Sequence, residues 1–212
     1  MDVNVISHSI CGHLLGILRD KSSSSLSFRR SISSISKILF IEASRDVRTM
    51  TYRVETPFES TVAVRLERGV VLVPILRAGL SMLDGVWSIF PEAVVEHIGI
   101  YRDDESLKPI PYYSSLDENL TDSFVFVLDP MLATGGTMRY ALEEIARFKP
   151  ESIDILTIVA APEGLENVSV AADKLEDIRI NLWTAAVDRC LNDDGFILPG
   201  LGDAGDRTFG TI

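Results

Sequence analysis

The stretch 124–137, FVFVLDPMLATGGT, limits what this chain can fold into more than any other. Phe124, Val125, Phe126, Val127 and Leu128 are apolar without polar alternation, the pattern of a central strand buried on both faces of a parallel sheet. Asp129 closes that strand, at the carboxyl edge where open α/β sheets bind ligands. Pro130 cannot extend a ladder, and Thr134, Gly135, Gly136 and Thr137 supply a backbone that can approach a ligand closely before a helical pattern begins at Met138. Amide donors in such a loop, helped by a helix start, form a phosphate site. The loop lacks both the lysine of the P-loop NTPases and the glycine spacing of dinucleotide-binding turns, so neither of those readings fits. A carboxylate beside a phosphate cradle is repulsive unless it accepts hydrogen bonds from hydroxyls. A ribose offers two vicinal ones, so Asp129 and the loop together point to a ribose phosphate.

The remaining pattern supplies the rest of an α/β sheet. Residues 70–76, VVLVPIL, read as a second buried strand ending at Arg77, again a charged group at a carboxyl edge, with a helix over 81–89. Residues 94–101, 153–160 and 178–184 read as further strands, and 137–148 and 165–175 as helices. Strands alternating with helices predict a doubly wound parallel sheet. Residues 1–43 read as an extended start and two helices, with KSSSS at 21–25 as a loop and N-cap. Period-two stretches within 46–67 predict a hairpin or edge strands. Residues 101–122, polar and without a clear period, read as a long functional loop. The tail, 188–212, is rich in glycine and reads as loops. We therefore expect one domain, in which 1–67 are N-terminal helices and hairpin, 68–186 the core and 187–212 a tail.

Charge and cysteine content narrow the function. A net charge of −11 over 212 residues opposes unspecific binding to nucleic acid or an anionic membrane, and it opposes anionic substrates too. A phosphate site in such a chain must be built locally from amides, a few arginines and a divalent cation. Cys11 and Cys190 have no metal-binding spacing and read as two reduced thiols, which suits a cytoplasmic protein. His8 and His13 lack a third ligand. The start has no basic and apolar leader pattern and no run long enough for a membrane span, so a soluble, unprocessed protein is expected.

The segment LDPMLATGGT resembles the ribose-phosphate loop of the type I phosphoribosyltransferases, in the form found in the uracil phosphoribosyltransferases. VPILRAG at 73–79, YRDDESLKPIPYY at 101–113 and GFILPGLGDAGDR at 195–207 resemble the same family in the same order. The resemblance implies a type I core with a C-terminal hood over the base. It also implies transfer of the 5-phosphoribosyl group from 5-phosphoribosyl 1-diphosphate (PRPP) to N1 of uracil, giving UMP and diphosphate. The family's donor site maps onto Arg77, Arg102, Asp129, Pro130, Met131, Leu132, Ala133, Thr134, Gly135, Gly136, Thr137 and Asp203. Arg77, Arg102, Asp129 and Asp203 would be the catalytic set, and Ile197, Gly202, Asp203 and Ala204 would receive uracil. Mg²⁺ would be held mainly by PRPP, with Asp203 in indirect contact. The long loop carrying Arg102 would close over the donor. Asp103, Asp104, Asp193, Asp194 and Asp206 read as solvated loop charges. Phe196 stands where relatives often have tyrosine, which removes a hydroxyl. The family also implies a homodimer or larger homo-oligomer, and some members are activated by GTP. Some proteins with this loop bind pyrimidine-operon RNA; the net charge and the lack of a basic stripe oppose that role here.

Overall fold

The computed structural model describes residues 1–102 and 109–211, with Arg102 described by its backbone alone. In chain order the first elements are β1 (Asp2–Val5), α1 (Ser9–Arg19) and α2 (Ser25–Ala43), then β2 (Thr49–Glu55), β3 (Ser60–Leu66), β4 (Val70–Leu76) and α3 (Leu80–Trp87). Next come β5 (Val94–Val95), β6 (Ile98–Arg102), β7 (Pro109–Ser114), β8 (Phe124–Leu128), β9 (Met131–Leu132) and α4 (Gly136–Ala146). The chain ends with β10 (Ser152–Ala160), α5 (Pro162–Ala172), β11 (Arg179–Val187), β12 (Cys190–Leu191), β13 (Ile197–Leu198) and α6 (Ala204–Phe209).

The main sheet runs β1-β11-β10-β8-β4-β6-β7, and every pair in it is parallel except β6 with β7. From β4 the chain winds outward through β6, then returns to the other side of β4 with β8, β10 and β11. The winding therefore reverses between β4 and β8, the two strands whose patterns are most continuously apolar. Leu72, Phe126, Leu128, Leu156 and Ile158 pack with Phe28, Ile32, Leu39, Met82 and Val86 of α2 and α3 on one face. Val73, Val125, Val127, Ile155 and Leu182 pack with Met138, Leu142, Ile145 and Val168 of α4 and α5 on the other. Phe126 anchors the first layer by meeting Phe40 edge to face, 4.9 Å between ring centroids.

Several elements differ from the sequence expectation, each for a physical reason. The strand expected over 94–101 is broken at Glu96, a buried carboxylate that accepts hydrogen bonds from Ser115 Oγ at 2.6 Å and Asn119 Nδ2 at 3.3 Å. Part of the expected long loop is the antiparallel edge strand β7, where Pro109 and Pro111 are tolerated because an edge strand leaves one side unpaired. Residues 103–108 of that loop lie outside the described residues, and the closure expected of it falls largely there. Of the two readings for 46–67, hairpin or edge strands, the hairpin holds: β2 and β3 pair only with each other and do not join the edge of the main sheet. The tail is more than loops: β12 pairs with β13, and Asp203 caps α6 by accepting from the Asp206 amide at 2.8 Å. His8 caps α1, its Nδ1 accepting from the Ile10 amide at 3.2 Å. Among the described residues no helix is long and apolar enough to cross a membrane.

Truncating Phe126, which is fully buried, removes its ring from the layer against Phe40. Phe126→Ala should cost about 3–5 kcal/mol of unfolding free energy, read as a lower urea midpoint. A loss below about 1 kcal/mol would contradict the packing described here.

Candidate active site

The carboxyl ends of β4 and β8 open onto one cavity of about 330 Å³ at the point where the winding reverses. Its walls come from three separate stretches: Ile75 to Ala78 at the end of β4, Asp129 with Met131 to Gly135 after β8, and Gly195 to Ile197 with Gly202 to Gly205 from the tail. Ile100 and Tyr101 of β6 and Thr137 and Met138 of α4 complete it.

The loop after β8 is shaped by its glycine and by α5. Gly135 caps α4 at φ 79°, a left-handed conformation that side chains resist, and it turns the chain from the sheet into the helix. The first amides of α4 lack intrahelical partners and carry the positive end of the helix dipole, which makes this turn an anion receptor. From beneath, Asn167 Nδ2 donates to the Thr134 carbonyl at 2.9 Å, fixing the loop from the middle of α5.

Asp129 is the titratable group that the site perturbs most. Withdrawal from water raises its carboxyl from 3.8 to about 7, against a smaller opposite pull from the Met131 amide that it accepts. Arg77 contributes the positive charge. Its guanidinium is largely exposed, its pairing with Asp206 is long at 3.8 Å, and it lies 6.0 Å from the Phe209 ring. A pair so exposed is weak and leaves Arg77 able to meet another anion.

The structure thus brings Arg77, Asp129, Met131, Leu132, Ala133, Thr134, Gly135, Thr137, Ile197, Gly202, Asp203 and Ala204 to one cavity. It does not bring Pro130 and Gly136 to the wall. Pro130 is buried, with its carbonyl accepting from the Ile158 and Val159 amides at 3.1 and 3.2 Å, so it fastens the loop to β10. Gly136 sits in the first turn of α4 beside Pro109 of β7. Arg102 ends β6, and its side chain lies outside the described residues, as do Asp103 and Asp104. Asp206 is not a solvated loop charge: it lies in the first turn of α6, next to Arg77, and its carboxylate accepts from Thr211 Oγ1 at 2.6 Å.

The family model for uracil phosphoribosyltransferase matches residues 5–211. The chain belongs to the uracil phosphoribosyltransferase family. It is 42% identical over 209 residues to the uracil phosphoribosyltransferase of Mycoplasma genitalium, covering 99% of both chains. It is also 42% identical over 212 residues to that of Thermosipho melanesiensis, covering 100% of both. Among solved structures, the AQ2163 protein from Aquifex aeolicus superposes with a TM-score of 0.91 at 37% identity, covering 98% of this chain and 97% of that one. Membership in the uracil phosphoribosyltransferase family accounts for a cavity that joins a phosphate-type loop to a glycine-dense tail.

Sequence reading missed the groups that hold this site in place. Asn167, and Glu163 whose Oε1 accepts from the Leu191 amide at 3.0 Å, belong to an ordinary-looking helix. Only the AxEG-type start of α5, with proline in its first turn, hinted that its N-terminus has a fixed place.

The raised Asp129 carboxyl has a stability consequence. Its folded value of about 7 lies above the unfolded 3.8, so its full contribution to stability is present below pH 3.8 and is lost as the pH rises through about 7. In ligand-free protein, Asp129→Asn should therefore be more stable than the parent above pH 7, the advantage shrinking as pH falls towards 3.8. Thermal melts across that range read it, and an advantage independent of pH would contradict the assignment.

Proposed function

We propose that this enzyme, which transfers the phosphoribosyl group of PRPP to uracil to give UMP and diphosphate, seats its donor along the carboxyl ends of β4 and β8. The observation that carries this reading is the convergence of the Gly135 turn, Asp129, Arg77 and the tail on one cavity. The amides of residues 133–137, with the Thr134 and Thr137 hydroxyls, receive the 5′-phosphate. Asp129 accepts from the ribose hydroxyls, which favours its ionised form and so opposes the burial that raises its pKa. Arg77 meets the diphosphate as negative charge grows on it, exchanging its weak contact with Asp206 for a forked pairing with phosphate oxygens. Arg102, at the end of β6 beside β4, is assigned to the same diphosphate by family resemblance.

Uracil enters against the tail. Gly202, Asp203 and Ala204 offer main-chain groups to its carbonyl and N3–H edge, while Ile197 and Phe196 supply apolar wall. Phe196 keeps the ring and drops the hydroxyl of the usual tyrosine, so base reading here falls on the backbone. Positioning of the base against the anomeric carbon is then the main work left to the protein.

The residues suit a magnesium ion carried by the donor. Among the described residues no group of three or more His, Cys, Asp or Glu side chains could cage a metal, but Asp129 and Asp203 line the cavity, and Mg²⁺ needs few protein ligands beside phosphates and water. When bound it would offset charge on the diphosphate. Asp203 Oδ1 is engaged at the α6 cap, leaving its second oxygen for a water of the ion.

The chain works as one domain, and its partner is a second copy of itself. A lone two-stranded hairpin is marginal in water, and the β2–β3 hairpin exposes Phe58 at 97% and Val62 and Val64 at 65%. Replacing Val62 and Val64 together by Glu should shift the mass in light scattering from oligomer to monomer; an unchanged mass would remove this surface as the interface. With free thiols at Cys11 and Cys190, we place the enzyme in the cytoplasm.

Mixing the protein with Mg²⁺, PRPP and each nucleobase in turn should yield nucleotide and diphosphate with uracil alone. Arg77→Ala and Arg102→Ala should each lower kcat by about 10²–10³-fold. An unaltered kcat at saturating substrates would remove that arginine from the diphosphate site.

A further inference from the structure

Behind the base side of the cavity, the end of α1 grips the tail at the backbone. Arg19 Nη2 and Nη1 donate to the two carboxylate oxygens of Asp188, at 2.6 and 2.8 Å, and Nη1 also donates to the Gly200 carbonyl at 2.9 Å. Asp188 Oδ2 in turn accepts the Gly200 amide at 2.9 Å. Asp188 is buried, its side chain 5% exposed, and Arg19 is 25% exposed. One residue further on, Arg207 Nη1 donates to the Leu201 carbonyl at 2.7 Å, with Nη2 on the Asp20 carbonyl at 2.6 Å. Arg207 also reaches the Leu18 carbonyl, and its guanidinium lies 4.4 Å from the Phe28 ring centroid.

Three consecutive peptide units are thus held: 199–200 by its N–H, 200–201 and 201–202 by their carbonyls. In a planar trans peptide the N–H points opposite to the C=O. Pinning the Leu201 carbonyl to Arg207 therefore aims the Gly202 N–H away from Arg207, and Gly202 itself lines the cavity. Gly200 sits at φ 61°, and glycine is the residue at which a peptide unit turns over at least cost. Left unheld, this loop could present a carbonyl where it now presents a donor.

We propose that Arg19 and Asp188 are positioning residues that set base selectivity by seating Gly200 so that Arg207 can hold the Leu201 carbonyl, which fixes the main-chain group that Gly202 turns towards uracil. The proposal rests on the base site assigned above to Gly202, Asp203 and Ala204. Uracil carries a carbonyl acceptor where cytosine carries an amino donor. An N–H held towards the cavity favours uracil, and a turned-over peptide offers cytosine the acceptor it needs. The pair touches neither substrate. Its loss acts through the turn and spares the phosphate loop and Arg77, which are built on β4, β8 and α4.

The test is steady-state kinetics of Arg19→Ala and Asp188→Asn with PRPP, uracil and cytosine, beside Ala204→Leu as a direct obstruction of the base site. Arg19→Ala should raise the KM for uracil about tenfold or more, leave the KM for PRPP within about twofold, and lower the uracil-over-cytosine ratio of kcat/KM by about tenfold. Asp188→Asn, which keeps an acceptor for the Gly200 amide, should fall between Arg19→Ala and the parent. Should Arg19→Ala not fold, Arg19→Lys keeps the charge without the fork, and the same loss of selectivity is expected of it. An unchanged selectivity ratio, or equal rises in both KM values, overturns the clamp. If Ala204→Leu raises the uracil KM while the Arg19 variants do not, the clamp alone is wrong. If Ala204→Leu leaves the uracil KM unchanged, the base site is misplaced and the clamp falls with it.

Discussion

β4 and β8 run side by side, and the chain leaves them in opposite directions, so their carboxyl ends are not covered by a crossover on either side. That gap is the constraint on which the rest depends. Apolar residues hold both strands rigidly between two helical layers, and the first polar groups after them, Arg77 and Asp129, are delivered to a common opening. Neither residue needs a neighbour in sequence to be placed beside the other; the sheet register does it. The tail completes the opening from the opposite side, and α5 stiffens the loop between them.

A chain with a net charge of −11 has to bind a highly anionic donor, and the site resolves the conflict locally. Positive character comes from unpaired amides at the start of α4 and from Arg77, whose existing partner is weak. Asp129, one of two carboxylates on the cavity wall, is pushed towards its neutral form by burial. Its repulsion of an entering anion is thereby lowered. Magnesium brought in with the donor would serve the same balance without requiring a built cage.

What the sequence revealed and what it hid follow from the range of the interactions. Buried strands announce themselves locally, and β4 coincides with the residues read as a strand because continuous apolar character has few other uses. The turn after β8 was legible for the same reason: strand, acid, glycines and helix start are contiguous. Pro109 and Pro111 hid β7, since proline argues against a strand unless the strand is known to be an edge. Pro130 looked like part of the ligand loop, and only the fold shows its carbonyl committed to β10. Asp206 looked solvated because its contact with Arg77 is made across the fold. Arg19, Asp188 and Arg207 were invisible, their partners lying far along the chain with no spacing to reveal them.

The contacts between α1 and the tail also set an order of assembly. Arg29 joins them by donating to the Thr208 carbonyl at 2.8 Å, so three arginines tie the beginning of the chain to its end. During synthesis the leading helices emerge long before the segments that satisfy Arg19 and Arg29, and those side chains stay hydrated until the tail leaves the ribosome. The cavity wall built by β4, β8 and α4 can form from segments already extruded. The wall built by residues 195–205 cannot, and a nascent chain stalled before residue 188 would leave the cavity open on that side.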